Sequence, residues 1–130
     1  MRVSTAGVVE RDGTFLVALR KPGTSIGESW EFPGGKMEEG ETPQQGLSRE
    51  FKEEFNLEIT VGEQFHESTF SNKGATYKLM AFWVNIRGGD MDHPEHQEIR
   101  WVSPEELSGL PMASSDTAIV RTLTALVGKV

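Results

Sequence analysis

The segment from residue 42 to residue 56 constrains the fold most, because at helical spacing its residues form one apolar face and one acidic face. Its apolar residues Leu47, Phe51 and Phe55 recur every fourth position, the spacing of a helix that buries one side. Acidic residues at positions 50, 53 and 54 share another side, at i, i+3 and i+4. The segment therefore predicts an amphipathic helix that packs on a core and presents three carboxylates to solvent.

The ends of this helix are marked by local signals. Thr42 can cap the first turn, Pro43 suits the first helical position, and Gln45 completes a capping box. Asn56 tolerates the left-handed conformation that ends a helix. We therefore expect a helix from about residue 43 to residue 55. Gly46 lies on its acidic side, where the absence of a side chain fits either clearance for a nearby loop or plain tolerance.

The three carboxylates need an explanation, because like charges one turn apart destabilise a helix by roughly 0.2–0.5 kcal/mol per pair. One interpretation is a solvated acidic face, which is common for a charge run. The other is a hard divalent cation, since Mg²⁺ takes oxygen ligands and often bridges carboxylates to phosphates. Gly35 and Glu41 stand at fixed distances before the cluster, and neither solubility nor helix formation requires them there. That spacing favours the cation.

From Gly35 through Glu41 to Glu54 the spacing is G-x5-E-x7-R-E-U-x-E-E, with U a bulky apolar residue. This pattern resembles the signature of the Nudix hydrolases, enzymes that cleave nucleoside diphosphates linked to another group. The position usually held by a glycine after the last glutamates is Asn56 here. The preceding WEFPGGK, residues 30–36, is similar to the MutT-like branch, which acts on nucleoside triphosphates. The resemblance implies an α/β/α sandwich around a mixed β-sheet.

The resemblance also implies roles for individual residues. The implied metal ligands are the Gly34 carbonyl, Glu50, Glu53 and Glu54, and the implied cofactor is Mg²⁺, for which Mn²⁺ can substitute. The implied catalytic residues are Arg49, Glu50, Glu53 and Glu98. Which glutamate is the general base stays open among the last three, and Arg49 is placed to hold the neighbouring Glu50 carboxylate. For each glutamate the plain alternative is a solvated side chain.

A nucleotide substrate requires positively charged side chains for its phosphates and a pocket for its base. Arg20 and Lys36 are the expected phosphate contacts, since carboxylates alone would repel the substrate, whereas Lys21 fits surface solvation better. By resemblance Asp116, near the start of the last helix, contacts the base, although an acidic residue also suits a first helical turn. An ionised aspartate accepts hydrogen bonds from cytosine amino groups or guanine-type edges alike. The predicted pocket walls, each also a reasonable core residue, are Phe32, Leu79 and Phe82. His93 and His96 are expected to be solvated.

The remaining elements follow from periodicity and turn signals. Residues 3–9 and 14–20 predict a hairpin around Asp12-Gly13, and residues 21–29 predict a loop. Residues 57–65 and 76–87 predict strands, the second apolar on both faces and therefore central. A short strand over 98–102, a helical turn over 104–107 and a helix from near Ser115 complete the chain.

Composition narrows the functional classes. A length of 130 residues predicts a single domain over residues 1–130, present as a monomer or homodimer. A net charge of -7 argues against a nucleic-acid polymer as partner, leaving a nucleotide as a small-molecule substrate. The absence of cysteine fits a cytoplasmic location, and no apolar run approaches the length of a membrane span.

We therefore expect metal-dependent hydrolysis of a nucleoside triphosphate, such as an oxidised or otherwise modified nucleotide, to a nucleoside monophosphate and pyrophosphate. One alternative is a Nudix hydrolase of ADP-ribose, a nucleotide sugar or a dinucleoside polyphosphate. A second is a non-catalytic nucleotide-binding module, which the intact Glu50, Glu53 and Glu54 disfavour.

Overall fold

Residues 2–21 and 29–127 are described by a computed structural model, in which one helix follows the first five strands and two helices follow the last three. In chain order the elements are β1 (Arg2–Val8), β2 (Glu10–Arg11), β3 (Thr14–Arg20), β4 (Trp30–Glu31), β5 (Gly34–Lys36), α1 (Pro43–Phe55), β6 (Glu58–Asn72), β7 (Ala75–Gly88), β8 (His96–Val102), α2 (Pro104–Gly109) and α3 (Thr117–Val127). The loop predicted over residues 21–29 lies, apart from its two end residues, outside the described residues. In the part of the chain that the structure describes, every helix is too short or too polar to cross a bilayer.

Helix α1 has the bounds and both caps that its sequence predicts. The Thr42 hydroxyl accepts the Gln45 N–H at 3.1 Å, and the Gln45 side chain accepts the Thr42 N–H at 2.9 Å. At the other end Asn56 adopts a left-handed conformation with φ of 56°. Both ends of the helix are therefore fixed by local contacts.

The strands form two four-stranded sheets, and the first of them is mixed. Its order is β5-β1-β7-β6, with β1 parallel to β7 and antiparallel to β5. In the second sheet β3 pairs with β8 along one edge and with β2 and β4 along the other. The predicted α/β class with a mixed sheet is confirmed.

The hairpin predicted between residues 3–9 and 14–20 is wrong for most of its length. The turn exists, with positive φ at Asp12 and Gly13, but it joins β3 only to the two-residue β2. Residues 5–9 and 15–19 are all buried, so β1 and β3 each take an interior place in a different sheet. The turn signal is satisfied locally and does not determine which sheet the longer strand joins.

The hairpin of β6 and β7 is longer than predicted. Strand β6 continues to Asn72, seven residues past its expected end, and turns through Lys73 and Gly74, both with positive φ. Residues 66–72, HESTFSN, are largely polar and have no continuous apolar face, so their sequence lacks the usual strand signal. The tip of this hairpin reaches a cavity described below.

The helices cover the sheets from two sides. On one side α1 buries Phe51 completely, in a cluster that includes Phe82 of β7. On the other side α2 and α3 pack through a cluster that includes Ile119 of α3 and Leu79 of β7. Residues of both faces of β7 are therefore buried, and its predicted central position is confirmed.

A one-residue bulge in β8 determines which of its side chains face α1. Leu19 pairs with Glu98, but the next residue of β3 pairs with His96, so Gln97 is the extra residue. Paired residues project to the same face of a sheet. Leu19 belongs to the cluster beneath α3, and Glu98 therefore faces that side. His96 faces α1, where its ring stacks on Phe55 with centroids 5.1 Å apart.

Candidate active site

One arginine organises the acidic residues of α1 and of the loop before it. Arg49 donates from Nε to Glu41 Oε2 at 2.6 Å and from Nη1 to Glu50 Oε1 at 2.8 Å. The same Nη1 reaches Glu53 Oε1 at 3.1 Å, and Nη2 reaches the Lys36 carbonyl oxygen at 3.2 Å. The hydrogen bonds to Glu41 and then to Glu50, with the negative charges of both residues, raise the pKa of Arg49 above its ordinary value against the lowering effect of burial. The contact predicted between Arg49 and Glu50 is present, within a larger network.

Glu41 anchors the loop to α1. Hydrogen bonds from Arg49 and from the Glu38 N–H, the latter at 2.8 Å, hold the pKa of Glu41 below its ordinary value. Gly46 faces this loop, because a Cβ placed there would lie 3.1 Å from Glu41 Oε1 and 3.3 Å from Met37 Cγ. Clearance for a nearby loop is therefore the better interpretation of this helical glycine.

Two glycines let β5 pack closely against its neighbours, Gly35 against the acidic helix and Gly34 against β1. A Cβ on Gly35 would lie 2.9 Å from the Glu50 carboxyl carbon, so a larger residue would displace that carboxylate. Gly34 has φ of 150°, and a Cβ there would collide with the Thr5 carbonyl oxygen. The predicted ligand Gly34 and the predicted ligand Glu50 are thus parts of one tightly packed unit.

A groove beside α1 is lined by four acidic residues, two from the helix and two from elsewhere in the chain. Its lining consists of Arg20, Lys21, Glu31, Glu53, Glu54, Glu95 and His96. Burial raises the pKa of Glu54 well above its ordinary value, and a hydrogen bond with Glu50 and the negative charges of Glu50, Glu31 and Glu95 raise it further. Carboxylates crowded in this way favour either a bound proton or a cation, because each balances part of the negative charge.

The donor set of the groove fits a hard divalent cation. Carboxylate oxygens are the ligands that Mg²⁺ prefers in proteins. Within residues 2–21 and 29–127, however, no three acidic or histidine side chains are gathered closely enough to hold one ion. Glu53 explains part of this, since its Oε1 is directed to Arg49 and its side chain is 60% exposed. An exposed glutamate can turn towards the groove without losing buried contacts.

A cavity of about 340 Å³ adjoins the groove and gathers several of the predicted substrate contacts. Arg20, Phe32, Lys36, Leu79 and Asp116 all line it. The tip of the β6–β7 hairpin closes one side with Phe70, Ser71, Asn72 and Lys73. Ligand pockets usually measure about 300–1,000 Å³, so the cavity has the size of a small-molecule site.

Asp116 lies in the wall of this cavity directly before α3. Its Oδ2 accepts the Phe32 N–H at 2.8 Å, and its Oδ1 accepts the Ser115 hydroxyl at 3.3 Å. The residue is 7% exposed, and burial raises the pKa of Asp116 to about 7, against the lowering effect of the Phe32 hydrogen bond. A buried carboxyl group is thus held at a fixed place in a wall that contains both polar and apolar residues.

Arg20 and Glu31 line both the groove and the cavity. Arg20 Nε donates to Glu31 Oε1 at 2.7 Å, and His96 Nε2 lies 2.8 Å from Glu31 Oε2. The prediction of a solvated His96 is therefore wrong, because the bulge in β8 turns this residue inwards. His93 is half-buried, with Nδ1 3.2 Å from the His96 carbonyl oxygen.

Sequence reasoning missed Glu31, Glu95 and the contact of His96. One signal for Glu31 exists, since it is a charged residue between the buried aromatic residues Trp30 and Phe32. Glu95 carries no comparable signal, because it is one of several polar residues in a loop. His96 depends on a bulge that the sequence does not mark.

Two residues predicted for the site lie elsewhere. Glu98 accepts Arg100 Nη2 at 3.2 Å on the face of β8 that points away from α1, so the structure does not bring this predicted base or ligand to the groove. Phe82 is 1% exposed in the core beneath α1 and does not line the cavity. Phe82 and Leu79 stand three positions apart in one strand, which places them on opposite faces.

The predicted cations differ in what they contact. The Lys36 ammonium lies 4.9 Å from the centre of the Tyr77 ring, at the rim of the cavity. Lys21 is exposed, as expected, but it also borders the groove. A role for Lys36 in phosphate binding stays a prediction.

An acidic helix held against a glycine loop, next to a cavity of small-molecule size, defines a class of enzyme. Carboxylates that can gather a cation, with an arginine between them and the cavity, are what hydrolysis of a phosphoanhydride requires. By class, the chain is a phosphoanhydride hydrolase.

The chain belongs to the Nudix family, whose NUDIX domain model matches residues 1–123. The CTP pyrophosphohydrolase of Escherichia coli (strain K12) is 37% identical over 121 residues, covering 93% of this chain and 90% of that protein. The 8-oxo-dGTP diphosphatase of Haemophilus influenzae is 29% identical over 119 residues, covering 91% and 88%. The solution structure of the E. coli ORF135 protein matches with a TM-score of 0.88 at 35% identity, covering 99% of this chain and 93% of that one. The predicted family and MutT-like resemblance are confirmed.

Proposed function

We propose that this chain is a Mg²⁺-dependent pyrophosphohydrolase of cytosine nucleoside triphosphates, releasing a nucleoside monophosphate and pyrophosphate. The observation that carries the proposal is the position of Asp116 in a cavity that shares Arg20 and Glu31 with the carboxylate groove. The similarity to a protein named CTP pyrophosphohydrolase, over 93% of this chain, supports the choice of base.

The cavity suits a base that carries an exocyclic amino group. Asp116 has carboxyl oxygens that accept hydrogen bonds, and the cytosine amino group donates them. Phe32 and Leu79 supply apolar walls for the ring, and both are almost fully buried behind the cavity surface. A base that offers no donor at this place would bury the remaining acceptor positions of the carboxylate without a partner, which disfavours its binding.

The triphosphate chain would extend from the cavity into the groove. Arg20 stands at the junction, and Lys36 lies at the cavity rim, so both cations can meet phosphate oxygens. Glu50, Glu53, Glu54 and the Gly34 carbonyl would hold Mg²⁺, which when bound neutralises charge on the phosphate oxygens.

The attacking water needs a carboxylate that accepts its proton while its oxygen bonds to phosphorus and pyrophosphate leaves. Arg49 fixes the Glu50 carboxylate against Gly35, which gives Glu50 a defined direction. Glu53 is more exposed, with a side chain that is 60% accessible, which suits a ligand that turns towards a cation on binding. Glu50 and Glu53 both stay candidates for the general base, and Arg49 positions each of them.

A substrate panel tests the proposal. The purified protein is incubated with Mg²⁺ and CTP, dCTP, UTP, dGTP, ADP-ribose, a nucleotide sugar or a dinucleoside polyphosphate, and products are separated by ion-exchange chromatography. We expect CMP or dCMP with an equal amount of pyrophosphate, and the highest kcat/KM for a cytosine nucleotide. Faster cleavage of a non-triphosphate substrate, or release of single phosphates, would refute the proposal.

A second candidate substrate is 8-oxo-dGTP, because the relative named 8-oxo-dGTP diphosphatase is 29% identical over 91% of the chain. Its guanine edge also presents an amino group and a ring N–H to an acceptor such as Asp116. Adding 8-oxo-dGTP to the same panel decides between the two, since the ratio of the two kcat/KM values ranks them directly.

A further inference from the structure

Glu31 is the acidic residue that the groove and the cavity share. It lines the groove together with Glu54 and the cavity together with Asp116. Both of its oxygens are occupied, one by Arg20 Nε at 2.7 Å and one by His96 Nε2 at 2.8 Å. A movement of Glu31 would therefore affect both the carboxylates of the groove and the carboxyl group of Asp116 in the cavity.

His96 is buried in a way that packing alone does not explain. A carboxylate oxygen only accepts hydrogen bonds, so Nε2 of His96 carries the hydrogen that Glu31 receives. The other ring nitrogen, Nδ1, is buried and has no hydrogen-bond partner among the described residues. A phenylalanine would stack equally well on Phe55 without leaving a buried polar atom unsatisfied. The feature that distinguishes histidine here is its hydrogen bond to Glu31.

Glu31 in turn determines the direction of Arg20. The contact through Nε fixes the plane of the guanidinium group, which stands where the groove and the cavity meet. A carboxylate that lost its contact with His96 could rotate about its side chain, and Arg20 would move with it. A displacement of about 1 Å in such a positioning group can lower a rate by about 100-fold.

We propose that His96 is a positioning residue of this enzyme, which holds Glu31 and thereby Arg20 at the junction of the groove and the cavity. The proposal rests on the proposed function, since it concerns the same substrate site. His96 does not itself touch the substrate, and its effect passes through Glu31.

Two variants separate the hydrogen bond from the packing. His96→Phe keeps a ring on Phe55 and removes the donor, whereas His96→Gln places an amide N–H near the position of Nε2 and removes the ring. His93→Gln is the matched control, because His93 is a nearby half-buried histidine that contacts the His96 backbone and not Glu31. For each protein, kcat and KM for CTP with Mg²⁺ and the thermal midpoint Tm are measured.

We expect His96→Phe to lower kcat/KM by about tenfold or more with a Tm close to that of the wild-type protein, because the ring packing is kept and removal of the unpaired Nδ1 offsets the lost hydrogen bond to Glu31. His96→Gln should retain kcat/KM within about threefold despite a lower Tm, since a donor is restored. In a Glu31→Gln background, His96→Phe should add little further loss. Wild-type activity in His96→Phe, activity that follows Tm across the variants, or a full additional loss in the double variant would each overturn the proposal.

An NMR measurement tests the positioning role of His96 without an activity assay. The NMR resonance of Arg20 Nε–H should shift towards that of a solvated arginine in His96→Phe and stay near the wild-type value in His96→Gln and His93→Gln. An unchanged resonance in His96→Phe would overturn the positioning role even if the enzyme proved to have another substrate. Failure of wild-type turnover on the panel, with the expected NMR shifts, would refute only the proposed function.

Discussion

The groove and the cavity lie side by side, and each holds a carboxyl group whose pKa is raised, but different ligands can relieve the two. Burial and three neighbouring carboxylates oppose the ionisation of Glu54 in the groove. Burial is also the main effect that opposes the ionisation of Asp116 in the cavity, while the Phe32 N–H favours it. A cation would stabilise the ionised form of Glu54, and a hydrogen-bond donor such as an amino group would stabilise the ionised form of Asp116. The groove therefore suits a metal and the cavity suits a base.

Removing one groove carboxylate should have the largest effect. We expect Glu53→Gln to lower kcat by about 1,000-fold, equivalent to about 4 kcal/mol of transition-state stabilisation, because a charged metal ligand is lost. The side chain is 60% exposed, so Tm should change by less than about 2 °C. The assay is turnover of CTP at saturating Mg²⁺. Glu63→Gln, which removes an exposed glutamate of β6, should leave kcat unchanged, and an active Glu53→Gln enzyme would contradict the metal assignment.

Neutralising the cavity carboxyl should change how stability depends on pH. The pKa of Asp116 is raised from 3.8 to about 7, so its contribution to stability is complete below about pH 4 and is lost as pH rises through 7. Between pH 5 and pH 8 the wild-type protein should lose roughly 2–3 kcal/mol relative to Asp116→Asn. Urea unfolding of both proteins at the two pH values measures this. A difference that does not vary with pH would show that the carboxyl group is not desolvated in the folded protein.

Replacing Arg49 with lysine keeps the positive charge and removes the geometry of the guanidinium group. Arg49 contacts Glu41 from Nε and both Glu50 and Glu53 from Nη1, a spread of contacts that a single ammonium group cannot match. We expect Arg49→Lys to lower kcat about tenfold and the free energy of unfolding by about 1–2 kcal/mol. Steady-state kinetics and urea unfolding supply the two values. Arg87→Lys, which alters an exposed arginine that contacts Thr60, is the control and should change neither value appreciably.

Filling the space above the helical glycine should have the smallest effect. Gly46→Ala gains about 1 kcal/mol of helix propensity, but its methyl group would press on Glu41 Oε1, which Arg49 holds in place. We expect the two effects nearly to cancel in the free energy of unfolding, with kcat lowered about threefold as Glu41 shifts. A clear gain of about 1 kcal/mol with unchanged kcat would indicate that the loop yields freely.

The hydrogen-bond network around Arg49 was largely predictable because its contacts are local. Arg49 and Glu41 are eight positions apart, and Arg49 and Glu53 are one helical turn apart. The caps at Thr42 and Asn56 are equally short-range. Helical periodicity and cap chemistry act over these distances, so residue spacing carries the geometry.

The cavity and its junction with the groove were less predictable because their contacts span the chain. Phe32 and Asp116 are 84 positions apart, and Glu31 and His96 are 65 positions apart. Such pairs depend on which strands become neighbours and on where a strand bulges, and neither is encoded in a short pattern. Phe82 is a different case, since strand alternation with Leu79 already places the two on opposite faces.

The bulge at Gln97 affects how this chain should be aligned with its relatives. In a regular strand, a histidine and a glutamate two positions apart share one face, whereas here the extra residue places His96 and Glu98 on opposite faces. A related protein with one residue fewer at this point would keep both side chains oriented as they are here. An equal-length relative with a regular strand would not, and an ungapped alignment of the two would match residues from opposite sides of the sheet. Hydrogen-bonded partners therefore identify equivalent positions in this strand better than residue counts do.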